Sequence, residues 1–388
     1  MEIRSAPGHL PGSVYSVVNE GQQLEMNQEI PECLLRPCGW LVPPGQHSDL
    51  VVSSRVRLAR NITGMPFSHW ASSSDLSRIA ETSLRAIQDC SSMNGATVLS
   101  VEPLDSLDRK YLVERYLISR ELAESGMERY AVVGRNEMVS VMVNEEDHLR
   151  LQVLTSGLSL REAWQRVNAL DDEMEERIYY AFSPVYGYLT ACPTNVGTGI
   201  RCSVMVHLPA LVMTQRIKKV LSAVTQMGLT VRGIAGEGSE IAGNLFQISN
   251  QWTLGASEEE TIEKLENIIR QIVDNERKTQ QDLWVESRTA LEDKVWRAFG
   301  LLSHARVLNS REALELISQL RMGLDLGLIK GIPYTAINDV IIQSRPAHLQ
   351  KRAGKKLIAT ERDAIRATFL RDWIRRYTEK EINRIHES

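Results

Sequence analysis

At Ser257 the chain changes character, and that change constrains its fold more than any other feature. Before it, period-two runs such as Met138-Val-Ser-Val-Met-Val143 alternate irregularly with helical stripes; after it the patterning is helical only. Ser257 and Glu260 make a capping box, with Ile262, Leu265, Ile268, Ile269 and Ile272 as the apolar stripe behind it. Further helical patterns run over about 283–301, about 311–326 behind an Asn309 cap, and 361 to about 383 behind Thr360. The irregular mixture ahead of this tail predicts an α+β fold rather than a regular doubly wound sheet. Three parts follow: an irregular extension over 1–48, an α+β domain over 49–279 and a helical domain over 280–388.

Composition narrows the function. At 388 residues, with 43% apolar and 24% charged side chains, the chain can bury a sizeable core. A net charge of −4 from 45 basic and 49 acidic residues argues against bulk nucleic-acid binding, so any basic site is a local pocket. No apolar run of about eighteen residues and no signal-peptide pattern is present, so the expected location is cytoplasmic, without membrane contact. Five cysteines without a Cys-x-x-Cys pair indicate neither a disulfide framework nor a zinc ribbon.

The first 45 residues carry Pro7, Pro11, Pro31, Pro37, Pro43 and Pro44 without sustained periodicity, which predicts poor order or surface docking. Met26 stands inside this stretch as a candidate natural start, and mass spectrometry of the native N-terminus decides: a peptide spanning Glu25 and Met26 would refute it. Order begins with the extended segment 49–60, where Arg55 and Arg57, two apart, point to one face. Core-facing helices are expected over about 74–88 and 160–182, and another near 209–227. Strands are expected over 138–143, 202–208, 229–233 and 246–253, with a turn-rich loop over 188–201 and a glycine-rich run over 233–240.

Arg55, Arg57, Arg150, Arg201 and Arg232 each fall at the edge of an expected strand, where side chains from different strands can converge. Each alone reads as a surface arginine; together they suit the oxygens of a polyphosphate. No Walker motif and no protein-kinase triplet is present, and the Gly197-Thr-Gly199 pair is too short for a dinucleotide fingerprint. The acids cluster on two loops, Glu145-Glu-Asp147 and Glu237 with Glu240. An acidic cluster by itself reads as a solvated turn. Paired carboxylates, however, are what is needed to hold and deprotonate a guanidinium, whose protonated nitrogen has no lone pair to attack phosphorus. The two halves fit in-line phosphoryl transfer from ATP to a guanidine nitrogen.

Ser53-Ser-Arg-Val-Arg57, Asn144-Glu-Glu-Asp-His-Leu-Arg150, Cys192-Pro-Thr-Asn-Val-Gly-Thr-Gly-Ile-Arg201 and Arg232-Gly-Ile-Ala-Gly-Glu237 resemble, in order, the motifs of the phosphagen (guanidino) kinases. Within that family the chain is most similar to the bacterial protein-arginine kinases, nearly to its C-terminus. The resemblance implies an antiparallel sheet flanked by helices, followed by an all-helical C-terminal domain. It implies that the five arginines hold the phosphates of ATP, with Ser53, Ser54, Val56, the segment Arg201, Cys202, Ser203, Val204 and Met205, and the segment Arg232, Gly233, Ile234, Ala235, Gly236 and Glu237 lining the site. It implies that Glu146 and Glu237 activate the guanidinium, that Glu145 helps hold Mg2+ through water, and that Cys192 lies beside the guanidine. Without the motif, Cys192 would read as an inert core cysteine. The sequence departs from the family at Tyr116, where relatives often have a histidine near the adenine.

Relatives acting on small guanidines carry a helical domain of about a hundred residues before the Ser-Ser-Arg motif; only about fifty residues precede it here, which leaves the acceptor end open to a protein side chain. Arg362-Asp-Ala-Ile-Arg-Ala367 places Arg362 and Arg366 on one helix face with Asp363 between them. The stretch reads as a solvated face by spacing alone, but it resembles the allosteric phosphoarginine-binding motif of the protein-arginine kinases, which assigns Arg362, Asp363, Ala364, Ile365, Arg366 and Ala367. The opposing row Ile365, Phe369, Trp373 and Tyr377 suggests core or dimer packing. The expectation is a protein-arginine kinase. By resemblance, its partners are arginine-bearing protein substrates, a Clp chaperone-protease, a heat-shock repressor, a zinc-containing activator and a second copy of itself. The alternatives are a kinase of a small free guanidine such as arginine, and a silent phosphoarginine reader.

Overall fold

A computed structural model of the chain describes residues 26–27, 29–124, 126–233 and 242–387, with side chains at the C-terminus described through Tyr377. The strands are β1 (Met26–Asn27), β2 (Val51–Arg60), β3 (Thr97–Ser100), β4 (Tyr130–Val133), β5 (Val139–Val143), β6 (Leu149–Ser156), β7 (Phe182–Ser183), β8 (Gly187–Tyr188), β9 (Ile200–His207), β10 (Leu229–Gly233) and β11 (Leu245–Asn250). The helices are α1 (Ser73–Gln88), α2 (Ser106–Glu114), α3 (Arg120–Ala123), α4 (Leu160–Glu175), α5 (Pro209–Met213), α6 (Ile217–Gln226), α7 (Glu258–His304), α8 (Ser310–Asp325), α9 (Tyr334–Gln343), α10 (Pro346–Ala353) and α11 (Ala359–Glu387). Among the described residues nine strands form one sheet in the order β1-β3-β4-β5-β6-β2-β9-β11-β10, antiparallel except where β1 joins β3. None of the described helices is long and apolar enough to cross a membrane.

The pleat decides what each face of this sheet meets. Val56, Leu58, Val141, Leu151, Val153, Cys202, Val204 and Ile248 point to one side, where α1, α4 and the first half of α7 close the main core. On the other side, α2 and α3 pack on Leu99, Ala131, Val133 and Met142. The C-terminal helices α8 to α11 meet the same side at Val52, Met205 and Leu245. The helical domain therefore shares a core with the sheet instead of hanging from it. Buried Arg321 of α8 reinforces the junction by donating to the carbonyls of Ser48 (2.7 Å) and Asp49 (2.9 Å).

Several sequence boundaries move for identifiable reasons. The expected capping box at Ser257 with Glu260 is formed, and a second, not read from the sequence, caps α1 at Ser72 with Asp75. The expected helix over 160–182 stops at Glu175, because 179–181 instead bonds to the chain after β2 through Thr63 N to Tyr179 O (2.9 Å) and Ala181 N to Asn61 O (2.7 Å). The helix expected over 209–227 breaks into α5 and α6 at Gln215, whose φ of 59° no helix accommodates. In contrast, the helices expected on either side of residue 280 are one helix, kinked at Ser287. The segment expected to be poorly ordered or surface-docked is partly core: Leu34, Cys38, Trp40 and Leu41 are buried, the last three with Met138, Leu154 and Ile342. The row Ile365, Phe369, Trp373 and Tyr377 packs in the core of the helical domain.

Candidate active site

Strand register brings the arginines together. Arg57 pairs with Arg201 on β9 and with Gln152 on β6, while Arg150 pairs with Ala59, two residues further along β2. Ser53 pairs with Met205, Met205 with Gln247, and Gln247 with Arg232 on β10. Directly opposed residues share a face, as do residues two apart. Arg55, Arg57, Arg150, Arg201 and Arg232 therefore stand on the same side of five adjacent strands, the side away from the main core.

The electrostatics agree with this convergence. Burial pushes the Arg55 guanidinium down to about 10; Tyr116 opposes this, while Arg201, Arg150 and Arg232 add to it. Arg57 falls well below the ordinary arginine range, first through burial and then through Arg55, Arg150 and Arg201. Its Nε is buried without a hydrogen-bond partner. Crowded cations with an orphaned donor are the signature of a polyanion site, because a bound polyphosphate would satisfy both deficits.

The expected lining divides with the pleat. Ser53, Ser203 and Met205 share the arginine face, whereas Ser54, Val56, Cys202 and Val204 are fully buried with side chains on the core side. Ser54 Oγ, for example, donates to Gly157 O at 2.8 Å and accepts from Ser159 N at 3.0 Å. The side chains of these four are turned away from the arginine face. Gly233 ends β10 opposite Phe246. Ile234, Ala235, Gly236 and Glu237 lie outside the described residues, as does Glu240.

At the far end of β2 the acidic loop and the cysteine loop are joined. Asp147 Oδ1 accepts from Asn61 Nδ2 (2.8 Å) and from Ala191 N (2.7 Å), which brings the chain at Glu146 beside the chain at Cys192. His148 Nδ1 accepts from Ile62 N (3.0 Å), so Nε2 carries the proton it donates to Pro66 O (2.8 Å). Burial lowers its pKa, and the ring is a neutral structural brace. Glu145 is buried, with Oε1 against Arg150 Nη1 (2.6 Å) and Oε2 accepting from Glu146 N (2.8 Å). The Glu146 side chain is 43% exposed and reaches Arg150 Nη2 at 3.3 Å. Partial burial raises its pKa, Arg150 opposes, and Asp147 and Glu145 add to the rise. Cys192 is half-buried, its Sγ 3.0 Å from Thr194 Oγ1.

Sequence reasoning missed the residues that brace this corner. Arg60 is buried, held by Asp171 (2.6 Å), stacked 3.5 Å over the Tyr188 ring and bonded to Thr198 O (2.9 Å). Burial would lower the Arg60 pKa, but Asp171 together with Tyr188 and Tyr180 more than offsets it and the guanidinium ends above its ordinary value. Thr253 Oγ1 donates to Thr194 O (2.9 Å) and Val196 O (2.7 Å), and Gly197, with φ of 113°, packs its Cα against the Thr253 carbonyl. Arg60 closes the same basic strand as Arg55 and Arg57; its odd parity in that alternation was the available signal.

The helical-domain motif is arranged differently from expectation. Arg362 Nη1 donates to Leu357 O (2.9 Å), but Arg366 is buried, donating to Ser344 O (2.9 Å), Leu308 O (2.8 Å) and Asp363 Oδ1 (2.6 Å). The expectation that both guanidinium groups emerge together is corrected: two orphan carbonyls of neighbouring segments draw Arg366 inward. Ala367 is core, while Ala364 and Ile365 are half-buried.

Comparisons with known proteins agree with this geometry. Residues 78–279 match the family of ATP:guanido phosphotransferase C-terminal catalytic domains, and residues 288–385 match the protein-arginine kinase McsB C-terminal domain. The chain is 47% identical over 336 residues to a protein-arginine kinase of Desulforamulus reducens, covering 86% of this chain and 94% of that one. It is 46% identical over 342 residues to a protein-arginine kinase of Moorella thermoacetica, covering 87% and 98%. A duplicated taurocyamine kinase from Schistosoma mansoni shares the fold, with a TM-score of 0.55 at 24% identity over 61% of this chain and 34% of that one. A face of five arginines, a carboxylate-and-cysteine corner at its end and relatives matched nearly end to end place the chain in the protein-arginine kinase family of ATP:guanido phosphotransferases.

Proposed function

We propose that the chain transfers the γ-phosphoryl group of ATP to a guanidine nitrogen of arginine side chains in proteins. The observation that carries this reading is the arginine face ending at Glu146 and Cys192. With the polyphosphate along Arg55, Arg57, Arg201 and Arg232, the terminal phosphoryl points to the Glu146 and Cys192 corner. There the acceptor guanidinium approaches in line. Glu146, with Glu237, holds the guanidinium and takes its proton, and the raised pKa of Glu146 suits that task. The arginines neutralise charge on the phosphoryl group in flight.

Mg2+ enters this reading as an ion carried by the phosphates. Both oxygens of Glu145 are engaged, yet each keeps a further lone pair for a metal-bound water, so the residue fits an outer-sphere role. When bound, such an ion would supply charge neutralisation to the phosphates. A protein acceptor is favoured over a free guanidine because the side chain of Glu146 is 43% exposed at the corner while the segment before β2 packs at Trp40, against Met138 and Leu154. The phosphoarginine role of Arg362, Asp363 and Arg366, a homodimer, cytoplasmic location and work with a Clp protease, a heat-shock repressor and a zinc-containing activator belong to the same proposal.

Two variants test the site. Glu146→Ala should abolish transfer, a loss of about a hundredfold or more, with ATP binding retained. Arg57→Met should instead lose ATP binding. Full activity in Glu146→Ala would remove that carboxylate from the mechanism.

A further inference from the structure

Arg345 carries the helical domain to the border of the nucleotide face. Arg345, in the turn between α9 and α10, donates from Nη2 to the Tyr116 hydroxyl at 2.6 Å and from Nη1 to Glu114 O at 3.2 Å, its guanidinium 5.0 Å from the Tyr116 ring centre. Tyr116 itself is tightly specified. Its φ is 63°, its ring meets Trp40 edge-on at 6.1 Å, and its carbonyl accepts from Gln152 Nε2 at 2.7 Å. Gln152 is the cross-strand partner of Arg57, which sets Tyr116 at the border of the arginine face. The Tyr116 phenol is also within electrostatic reach of Arg55, the arginine nearer the Ser53 end of β2 and thus away from Glu146.

Since the acceptor corner lies at the other end of β2, the nucleoside of a bound ATP falls on the Tyr116 side. We infer that Arg345 is a positioning residue for the nucleotide: it fixes the Tyr116 phenol as the wall of the nucleoside end, so that the second domain completes the ATP site. The turn that carries Arg345 is itself held, because Arg366 Nε grips Ser344 O at 2.9 Å. Glu114 steadies the same turn by accepting from Ala347 N (3.0 Å) and His348 Nδ1 (2.9 Å). A guanidinium-to-phenol bond from another domain is a means of tying nucleotide affinity to how that domain is seated.

This inference rests on the nucleotide reading of the arginine face, and the experiment separates the two. Steady-state kinetics with ATP, Mg2+ and an unfolded arginine-bearing protein would be measured for Tyr116→Phe, Arg345→Met, their double variant and Arg345→Lys. Each of the first two should raise the KM for ATP about tenfold, with kcat and the KM for the protein changed by less than about twofold. The double variant should be no worse than either single one, since both remove one bond, and Arg345→Lys should recover part of the loss. Lys351→Ala, which breaks the contact of α10 with Asp108 of α2 without touching Tyr116, should leave the KM for ATP unchanged. Tyr116→Phe keeps the ring against Trp40, so the test stands even if Arg345→Met fails to accumulate. An ATP KM at the wild-type value in Tyr116→Phe, or an equal loss in Lys351→Ala, overturns the inference while Arg57→Met still loses ATP. Normal ATP binding in Arg57→Met overturns the nucleotide reading itself.

Discussion

Arg60 and Asp171 carry no chemistry in the proposed reaction, yet the acceptor corner depends on them. Both are nearly inaccessible, and Arg60 alone ties α4, the Tyr188 ring and Thr198 ahead of β9. Removing one partner leaves a buried charge without compensation, so Asp171→Ala should cost about 3–5 kcal/mol of unfolding free energy, read by urea titration. Replacing both by apolar residues of similar volume should recover most of that stability. A loss below about 1 kcal/mol in the single variant would mean the pair is far better solvated than its burial indicates. At this scale the residues with distinctive chemistry were readable in the sequence and their braces were not. Arg55 and Arg57 announce themselves by charge at alternate positions, although they lie inside β2 and not at its edge as expected, and Arg150 by charge at the start of β6, whereas Asp171 sits in a helix among Asp172, Glu173 and Glu175 and looks like any solvated acid. Likewise, nothing in the spacing of Arg362 and Arg366 distinguishes an exposed guanidinium from one drawn to Ser344 O and Leu308 O.

Among elements, α7 does the most to set the others. From it Glu276, fully buried, accepts from Ala210 N (2.7 Å) and Leu211 N (2.9 Å) at the start of α5. Burial lifts its carboxyl from an ordinary 4.5 to about 7, against the pull of those two donors and of Gln280. The folded state thus holds this proton more tightly than the unfolded chain, and the stability it contributes is present below pH 4.5 and lost as pH rises through about 7. The change is on the order of 3 kcal/mol. Glu276→Gln should flatten the fall in melting temperature across that window; an unchanged slope would show that Glu276 is ionised throughout. Long periodic elements were legible, as were the caps at Ser257 and Asn309 but not the one expected at Thr360, which lies inside α11: α1, α8 and the start of α7 lie where their stripes put them. What stayed hidden was decided by tertiary contact, such as the end of α4 and the burial of Trp40 within a proline-rich stretch.

For the whole molecule, the consequential fact is that the two domains share a core and a site border. Met205 and Leu245 of the sheet pack with the helical domain, and Arg345 crosses to Tyr116 beside the arginine face. The α+β class could be read from periodicity, but not this continuity, because sequence patterns show which face is apolar and not what covers it. A chain ending near residue 287 should therefore aggregate, since Val52, Met205 and Leu245 would lose their cover; a monomeric truncation that binds ATP as tightly as the full chain would contradict both the shared core and the Arg345 link. The central claim is that the arginine face delivers phosphate to arginine in proteins. Its most direct test is mass spectrometry under non-acidic conditions of an unfolded protein and free arginine offered together to the enzyme with ATP and Mg2+. The expected result is acid-labile phosphate on arginine side chains of the protein, absent with Glu146→Ala. Phosphate on free arginine alone, on serine or threonine, or on nothing at all would contradict it.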